Sequence, residues 1–269
     1  MLKFIEKNGL KLLQSELLLD IKGVNHAFST KIGGISQGVY ESLNIYSSQP
    51  EESINAKENR KILGDVLGFD SNSLVLAQQV HQANVHHVLK NDIGRGSQSP
   101  KDAISGTDSL ITGEKDIPIM LLYADCLPIL IADKNSKCVG VIHAGWKSTE
   151  KQILVETIKK MQSDFNINVK DLIIAIGIGI SVKNFEIGQE VMDKLSRVSF
   201  SDKCFEERNN KIYADLIEIN KSQALNFDVP EENIDYNKDL CTFENKDLFY
   251  SYRRDNKITG RHSAVIFKI

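Results

Sequence analysis

The sequence predicts a mixed α/β (α+β) fold in one domain over residues 1–269. Three observations predict it. The runs "TDSLIT", "IPIMLLYAD", "LPILIAD" and "CVGVIHAG" are rich in Ile, Leu and Val and bounded by turn residues, the pattern of buried strands. Two long segments, "PEESINAKENRKILGDVLG" and "STEKQILVETIKKMQSDF", carry helix signals instead. No repeat, linker or low-complexity block divides the 269 residues, and a chain of this length buries about three quarters of its unfolded surface.

Taken in order, "LKFIE" and "LKLLQ" flank "KNG", and Asn-Gly is a strong hairpin signal. "VNHAFST" reads as a short strand and leads into the glycine-containing loop "KIGGISQGVYESLN". The first helix has Pro50 in its opening turn, Glu51 and Glu52 at the positive end of its dipole, and Gly68 to end it. "SLVLAQQVHQANVHHVL" reads as two strands split near Gln82-Ala83-Asn84, and the polar loop 91–107 connects them to the four apolar runs. In the second long helix Ile153, Ile158 and Met161 recur at helical spacing, with Thr149 and Gln152 placed for a capping box. "LIIAIGIGI" reads as a strand whose glycines mark close approach of other backbone. Helices are expected over 187–197 and 214–226, and the C-terminal "DLFYSYRRDNKITGRHSAVIFKI" reads as two strands joined by a polar turn.

Hydrophobic residues at 41 % and charged residues at 26 % are ordinary for a soluble globular protein. A net charge of −3 gives no electrostatic case for nucleic acid as a partner, since that affinity rests on clustered Lys and Arg. "MLKFIEKNGLKLL" is broken by charges, and no run approaches the ~20 apolar residues needed to cross a bilayer, so no membrane partner is expected. The four cysteines, Cys126, Cys138, Cys204 and Cys241, form no C-x-x-C pair and are expected to be reduced thiols in the cytoplasm.

The densest stretch is "YADCLPILIADKNSKCVGVIHAGW", residues 123–146. A hairpin turning at Asn135-Ser136 sets position 128 opposite His143 and Cys126 opposite position 145. Cys126 and His143 then become diagonal neighbours on one face, about 7–8 Å apart, close enough to lean toward one ion. A thiolate and an imidazole suit zinc or copper, and a catalytic zinc takes three protein ligands and keeps a corner open. His81, at the end of "LVLAQQVH", is best placed as the third; adjacent His86 and His87 point to opposite faces, so at most one can join. Asp125 falls on the other face and is suited to orienting a loop.

"QQVH", "TDSLIT", "ADCLPILIAD", "HAGWKST", "FEIG" and "FYSYRRDNKITGRHSAVI", in this order and spacing, resemble the laccase-domain (polyphenol oxidase-like) family. "GGISQGVYESLN" and "ENR" upstream also fit, so the resemblance runs from about Ala27 to the C-terminus. Members were first called multicopper polyphenol oxidases and are regarded as zinc-dependent purine nucleoside enzymes. The resemblance implies Zn²⁺, rather than copper, on His81, Cys126 and His143, which are then also the catalytic residues. It implies phosphorolysis of adenosine, inosine and S-methyl-5′-thioadenosine to free base and (methylthio)ribose 1-phosphate, and deamination of adenosine. The chain departs from the usual pattern at Gln82, Lys147, Ser148, Ile178 and Phe185. Lys147 replaces a planar, bidentate arginine by a mobile point charge, which bears on anion binding.

Phosphorolysis needs cations for phosphate; Arg60, Lys147, Arg253, Arg254 and Arg261 are the candidates, with "YRRD…TGR" the strongest cluster because a turn converges its side chains. Deamination needs a carboxylate to carry protons, with Asp125 and Glu186 as candidates. Competing readings are a hydrolase with Cys126 as nucleophile and His143 as base, since some relatives are associated with peptidoglycan precursor editing, and a copper polyphenol oxidase, for which six scattered histidines are few. A zinc-stabilised nucleoside-binding protein would need a fourth ligand, for which Cys138 is the nearest thiol in sequence. Nothing in the sequence sets an oligomeric state.

Overall fold

A computed structural model describes residues 1–46 and 50–269. Two six-stranded mixed sheets dominate it. The first runs Leu2–Lys7, Leu10–Ser15, Val24–Ser29, His262–Lys268, Ile119–Tyr123, Val75–Leu76. The second runs Ile234–Asp235, Leu172–Ile176, Leu127–Asp133, Val139–Ala144, Ser109–Thr112, Val85–His87. A small third sheet joins Glu186–Ile187, Lys211–Ala214 and Phe205–Arg208.

Side-chain alternation builds the layers. Leu130, Ala132, Val139, Val141 and Leu110 of the second sheet meet Leu13, Phe28, Leu121, Tyr123 and Ile266 of the first in a buried inter-sheet core. Leu127, Ile129, Ile131 and Ile142 point the other way, onto the helices Ile153–Phe165 and Leu216–Asn226. Leu12, Ala27, Met120 and Val265 on the outer face of the first sheet pack beneath Leu63 and Val66 of the helix Pro50–Leu67. The result is helix, sheet, sheet, helices, the mixed sheets between helices that the family resemblance implies.

The hairpin register is the expected one. Pro128 pairs with His143 and Leu127 with Ala144. Asn8 and Gly9 both take positive φ (49° and 82°), as the tight turn between the first strands demands. Gly68 (φ +88°) follows the end of the helix Pro50–Leu67, its N–H returning to the carbonyl of Gly64.

Four expectations are corrected. "SLVLAQQVH" is a strand only at Val75–Leu76, and residues 78–84 form a loop because three of its N–H groups are claimed by a side chain, as shown below. The helix expected after Gly145 is two helices, Trp146–Glu150 and Ile153–Phe165, broken where Gln152 enters the left-handed region (φ +57°). Gln152 therefore makes no capping box; buried Thr149 instead accepts from Asn220 Nδ2 at 3.1 Å. "LIIAIGIGI" is a strand only at Leu172–Ile176. The C-terminal region has one strand, His262–Lys268, since residues 251–257 coil into turns that wrap the Asp125 carboxylate.

The glycines after Leu172–Ile176 do mark close approach. A Cβ at Gly177 would lie 2.6 Å from the Phe28 ring and 2.7 Å from Pro128 Cγ. Gly177→Ala is expected to cost about 1–3 kcal/mol through overpacking of the inter-sheet core. At roughly 2–4 °C per kcal/mol, thermal denaturation reads this as a lowered Tm, and an unchanged Tm would show the two sheets free to separate there.

Candidate metal centre and its cavity

The inter-sheet face of the second sheet ends in polar residues where the first sheet no longer covers it. His143 has the side-chain parity of Val141, and Asp108, just before the strand Ser109–Thr112, has that of Leu110. Both are buried, and His143 Nδ1 meets Asp108 Oδ1 at 2.9 Å. This bond leaves Nε2 as the free face of the imidazole. Asp108 does a second thing. Oδ2 accepts from the N–H of Val80 (3.0 Å) and Gln82 (2.8 Å), and Oδ1 accepts from the N–H of His81 (3.0 Å). Three successive donors on one carboxylate curl the loop and force His81 into the left-handed region (φ +56°), which turns its ring toward His143. The two ring centroids lie 4.8 Å apart.

Cys126 completes the group from the residue before the strand Leu127–Asp133. The ligand atoms of His81, Cys126 and His143 all lie within 4.8 Å of one another, a spacing that one metal ion can bridge. Gly145 supplies the room: a Cβ there would sit 2.9 Å from both Cys126 Sγ and His81 Nδ1. One sulfur and two imidazoles make a donor set suited to zinc or copper, and among the described residues no fourth His, Cys or carboxylate joins it. Cys138 lies at the opposite end of the hairpin, buried, with its thiol pushed up to about 12 by that burial, so the four-ligand structural site is not formed. His86 and His87 are occupied elsewhere, by Asp92 at 3.0 Å and Asp164 at 2.9 Å.

The three side chains and Asp108 perturb one another electrostatically. Burial works against a charge on His143, but the facing Cys126 sulfur and Asp108 outweigh it and push its pKa up to about 9. Burial and the neighbouring His143 push His81 down. Burial opposes ionisation of Asp108, yet its bonds from His143 and from the Gln82 and Val80 N–H groups hold its carboxyl below the usual range.

The group opens into a cavity of about 710 Å³, within the usual range for small-molecule sites. The candidate basic residues divide. Arg253 and Arg261 line the cavity, and Arg261 feels both Asp125 and Cys126. Arg60 also lines it, and it is no solvated surface charge: it is 6 % exposed, donating to the carbonyls of Ile45 (2.7 Å) and Ser97 (3.0 Å). Arg254 is absent from the wall. Its guanidinium is consumed by Asp255 and by the carbonyls of Thr242, Phe243 and Phe249, which pin the turn. Lys147 is exposed, 5.6 Å over the Trp146 ring, and also stands off the wall.

The candidate proton carriers divide: Asp125 lines the cavity and Glu186 does not. Asp125 (φ +86°) lies outside any strand and accepts from Thr242 Oγ1 (2.6 Å), Ser251 Oγ (3.0 Å) and the Arg253 N–H (2.7 Å). It orients the loop that carries Arg253, as its position in the sequence suggests. Glu186 is exposed, bonded to Lys211 at 2.8 Å, and outside the cavity wall. Of the departures from the family pattern, Phe185 lines the cavity beneath the Arg253 guanidinium (5.5 Å), and Ser148 Oγ closes onto the carbonyls of His143 and Gly145. Asp108 is the residue that sequence reasoning missed. Its signal was an aspartate opening a strand with the parity of the core, within the quoted "TDSLIT".

The chain is 34% identical over 247 residues to purine nucleoside phosphorylase YlmD of Bacillus subtilis, covering 91% of this chain and 88% of that protein. It is 30% identical over 254 residues to a purine nucleoside phosphorylase of Bacteroides thetaiotaomicron, covering 93% and 94%. The fold superposes on the crystal structure of YlmD from Geobacillus stearothermophilus with a TM-score of 0.91 at 30% identity, over 98% of each chain. The sequence pattern of one family matches residues 25–268, and by that match the chain belongs to the multi-copper polyphenol oxidoreductase laccase family.

Proposed function

We propose that this protein is a zinc-dependent purine nucleoside enzyme, cleaving adenosine, inosine and S-methyl-5′-thioadenosine with phosphate and deaminating adenosine. The observation that carries the reading is a three-ligand group, His81, Cys126 and His143, with no fourth protein donor and a cavity beside it. The relatives called purine nucleoside phosphorylases at 34% and 30% identity supply the substrate class. A bound zinc ion supplies Lewis-acid chemistry at neutral pH.

The protein's own residues do the rest. Asp108 fixes the His143 ring and the His81 loop together, so two ligands move as one unit. Trp146, Phe185 and Tyr252 on the wall offer flat apolar faces for a purine, and Arg261 and Arg253 provide positive charge beside the ligand group. The inter-sheet core below closes the floor to water.

Incubation of zinc-loaded protein with a nucleoside panel, with and without phosphate, checks the reading by mass spectrometry. Hypoxanthine is expected from inosine only when phosphate is present, and inosine is expected from adenosine without it. Ala in place of His81, Cys126 or His143 should abolish turnover and bound zinc while far-UV circular dichroism stays native. Full activity in a metal-free triple variant would sink the proposal. Asp108→Asn keeps the shape but sets an amide N–H₂ against backbone donors. It is expected to weaken zinc by about 10–100-fold in a chelator competition, and unchanged affinity would show that the loop holds itself.

A further inference from the structure

The cavity is strongly positive in a protein whose net charge is −3. Its wall carries Lys57, Arg60, Arg253 and Arg261, against the single carboxylate of Asp125, whose oxygens are already taken by Thr242, Ser251 and the Arg253 N–H. Two of the four cations come from one helix. Ser53, Ala56, Lys57 and Arg60 recur at the three- and four-residue spacing of a single face of Pro50–Leu67, and that face is turned into the cavity.

Arg60 is the decisive residue. It is 6 % exposed, and no carboxylate lies within ion-pair distance of it among the described residues; residues 47–50 are Ser, Ser, Gln and Pro and contain no acid. Among the described residues two carbonyls accept from it, and neither brings a compensating charge. A buried guanidinium without a counter-ion is costly, and burial alone pushes its pKa down to about 10. Of the helix's acids, buried Glu52 is committed to Ser36, Asn44 and Asn55, and exposed Glu58 lies 4.0 Å from Lys61. Lys57, one turn before Arg60, is exposed and has no acidic partner among the described residues. Arg60 is carried by the helix Pro50–Leu67 and held by the loops at Ile45 and Ser97, whereas Cys126 and His143 sit at the end of the second sheet, so the two regions are built from different elements.

We infer that Lys57 and Arg60 form an oxyanion subsite for a phosphate group, at the helix end of the cavity and apart from the His81–Cys126–His143 centre. The inference rests on the nucleoside reading and names its anion. That anion is inorganic phosphate entering as co-substrate, or a phosphate ester carried on the 5′ end of the nucleoside. Both have the tetrahedral oxyanion that a guanidinium and an ammonium recognise.

Calorimetric titration with inorganic phosphate, adenosine and adenosine 5′-monophosphate tests it, on zinc-loaded and on chelator-treated protein. Lys57→Glu and Arg60→Lys are each expected to weaken the phosphate-bearing ligand by at least about tenfold, with or without zinc. If inorganic phosphate binds and loses affinity in the variants, the subsite serves the co-substrate. If adenosine 5′-monophosphate binds more tightly than adenosine and loses that advantage in the variants, it serves a nucleotide. Either result supports the subsite. Wild-type affinity of both variants for both phosphate ligands, or no binding of either ligand by the wild type, overturns it. Arg60 also ties two loops, so thermal melting accompanies Arg60→Lys, and the exposed Lys57→Glu carries the test if that variant unfolds. Failure of the nucleoside reading looks different: no nucleoside turns over, while phosphate binding still depends on Lys57.

Discussion

One buried carboxylate organises the functional end of this molecule. Asp108 is fully removed from solvent, and a charge in that position persists only when hydrogen bonds replace water. It receives four: from His143 Nδ1 and from the N–H groups of Val80, His81 and Gln82. Those donors come from a strand of the second sheet and from the loop that follows the edge strand of the first. The carboxylate therefore couples the two sheets where their shared apolar core runs out. It also holds His81 in a left-handed conformation that costs a non-glycine residue about 1–2 kcal/mol. The loop is not a flexible excursion; its shape is dictated by the need to solvate Asp108.

The cavity follows from the same arrangement. The edge strand of the first sheet is only two residues long, Val75–Leu76, so the wall beyond it is made by loop residues Ala77 to Gln79 and by the helix Pro50–Leu67 reaching across from the outer face. Gln79 mimics a strand residue, its amide accepting from the N–H of Leu122 (2.9 Å) and donating to its carbonyl (2.7 Å), so the sheet edge is sealed without being extended. On the other side Asp125 gathers the 251–253 turn and delivers Arg253 to the wall. Two aspartates, Asp108 satisfied by backbone N–H groups and the His143 ring and Asp125 by two hydroxyls and a backbone N–H, thus shape the site from opposite sides while cations line the space between them.

Arginine shows how little a residue's type says about its task. Arg253 and Arg254 are adjacent in the chain, yet Arg254 is spent on three carbonyls and Asp255 while Arg253 reaches the cavity. The turn geometry that separates them arises from Asp125, more than 120 residues earlier in the chain. Arg60 sits on a helix with many charges, yet the loops around Ile45 and Ser97 fold over it. Lys147 lies within a family motif and remains outside the wall.

The sequence alone determined the features that depend on periodicity and short-range turn chemistry. Alternation in "LPILIAD" and "CVGVIHAG" set Pro128 against His143, Asn8-Gly9 closed the first hairpin, and the resulting parity put Cys126 and His143 on one face. Tertiary structure decided what hangs on long-range hydrogen bonding. It cut the strand before His81 short, broke the helix at Gln152, consumed Arg254, and buried Arg60 without a counter-ion. The reason is physical: hydrophobic pattern is a local property that repeats along the chain, whereas a buried charge takes its partners from whichever segments the fold brings within about 3 Å, and these lie tens of residues away.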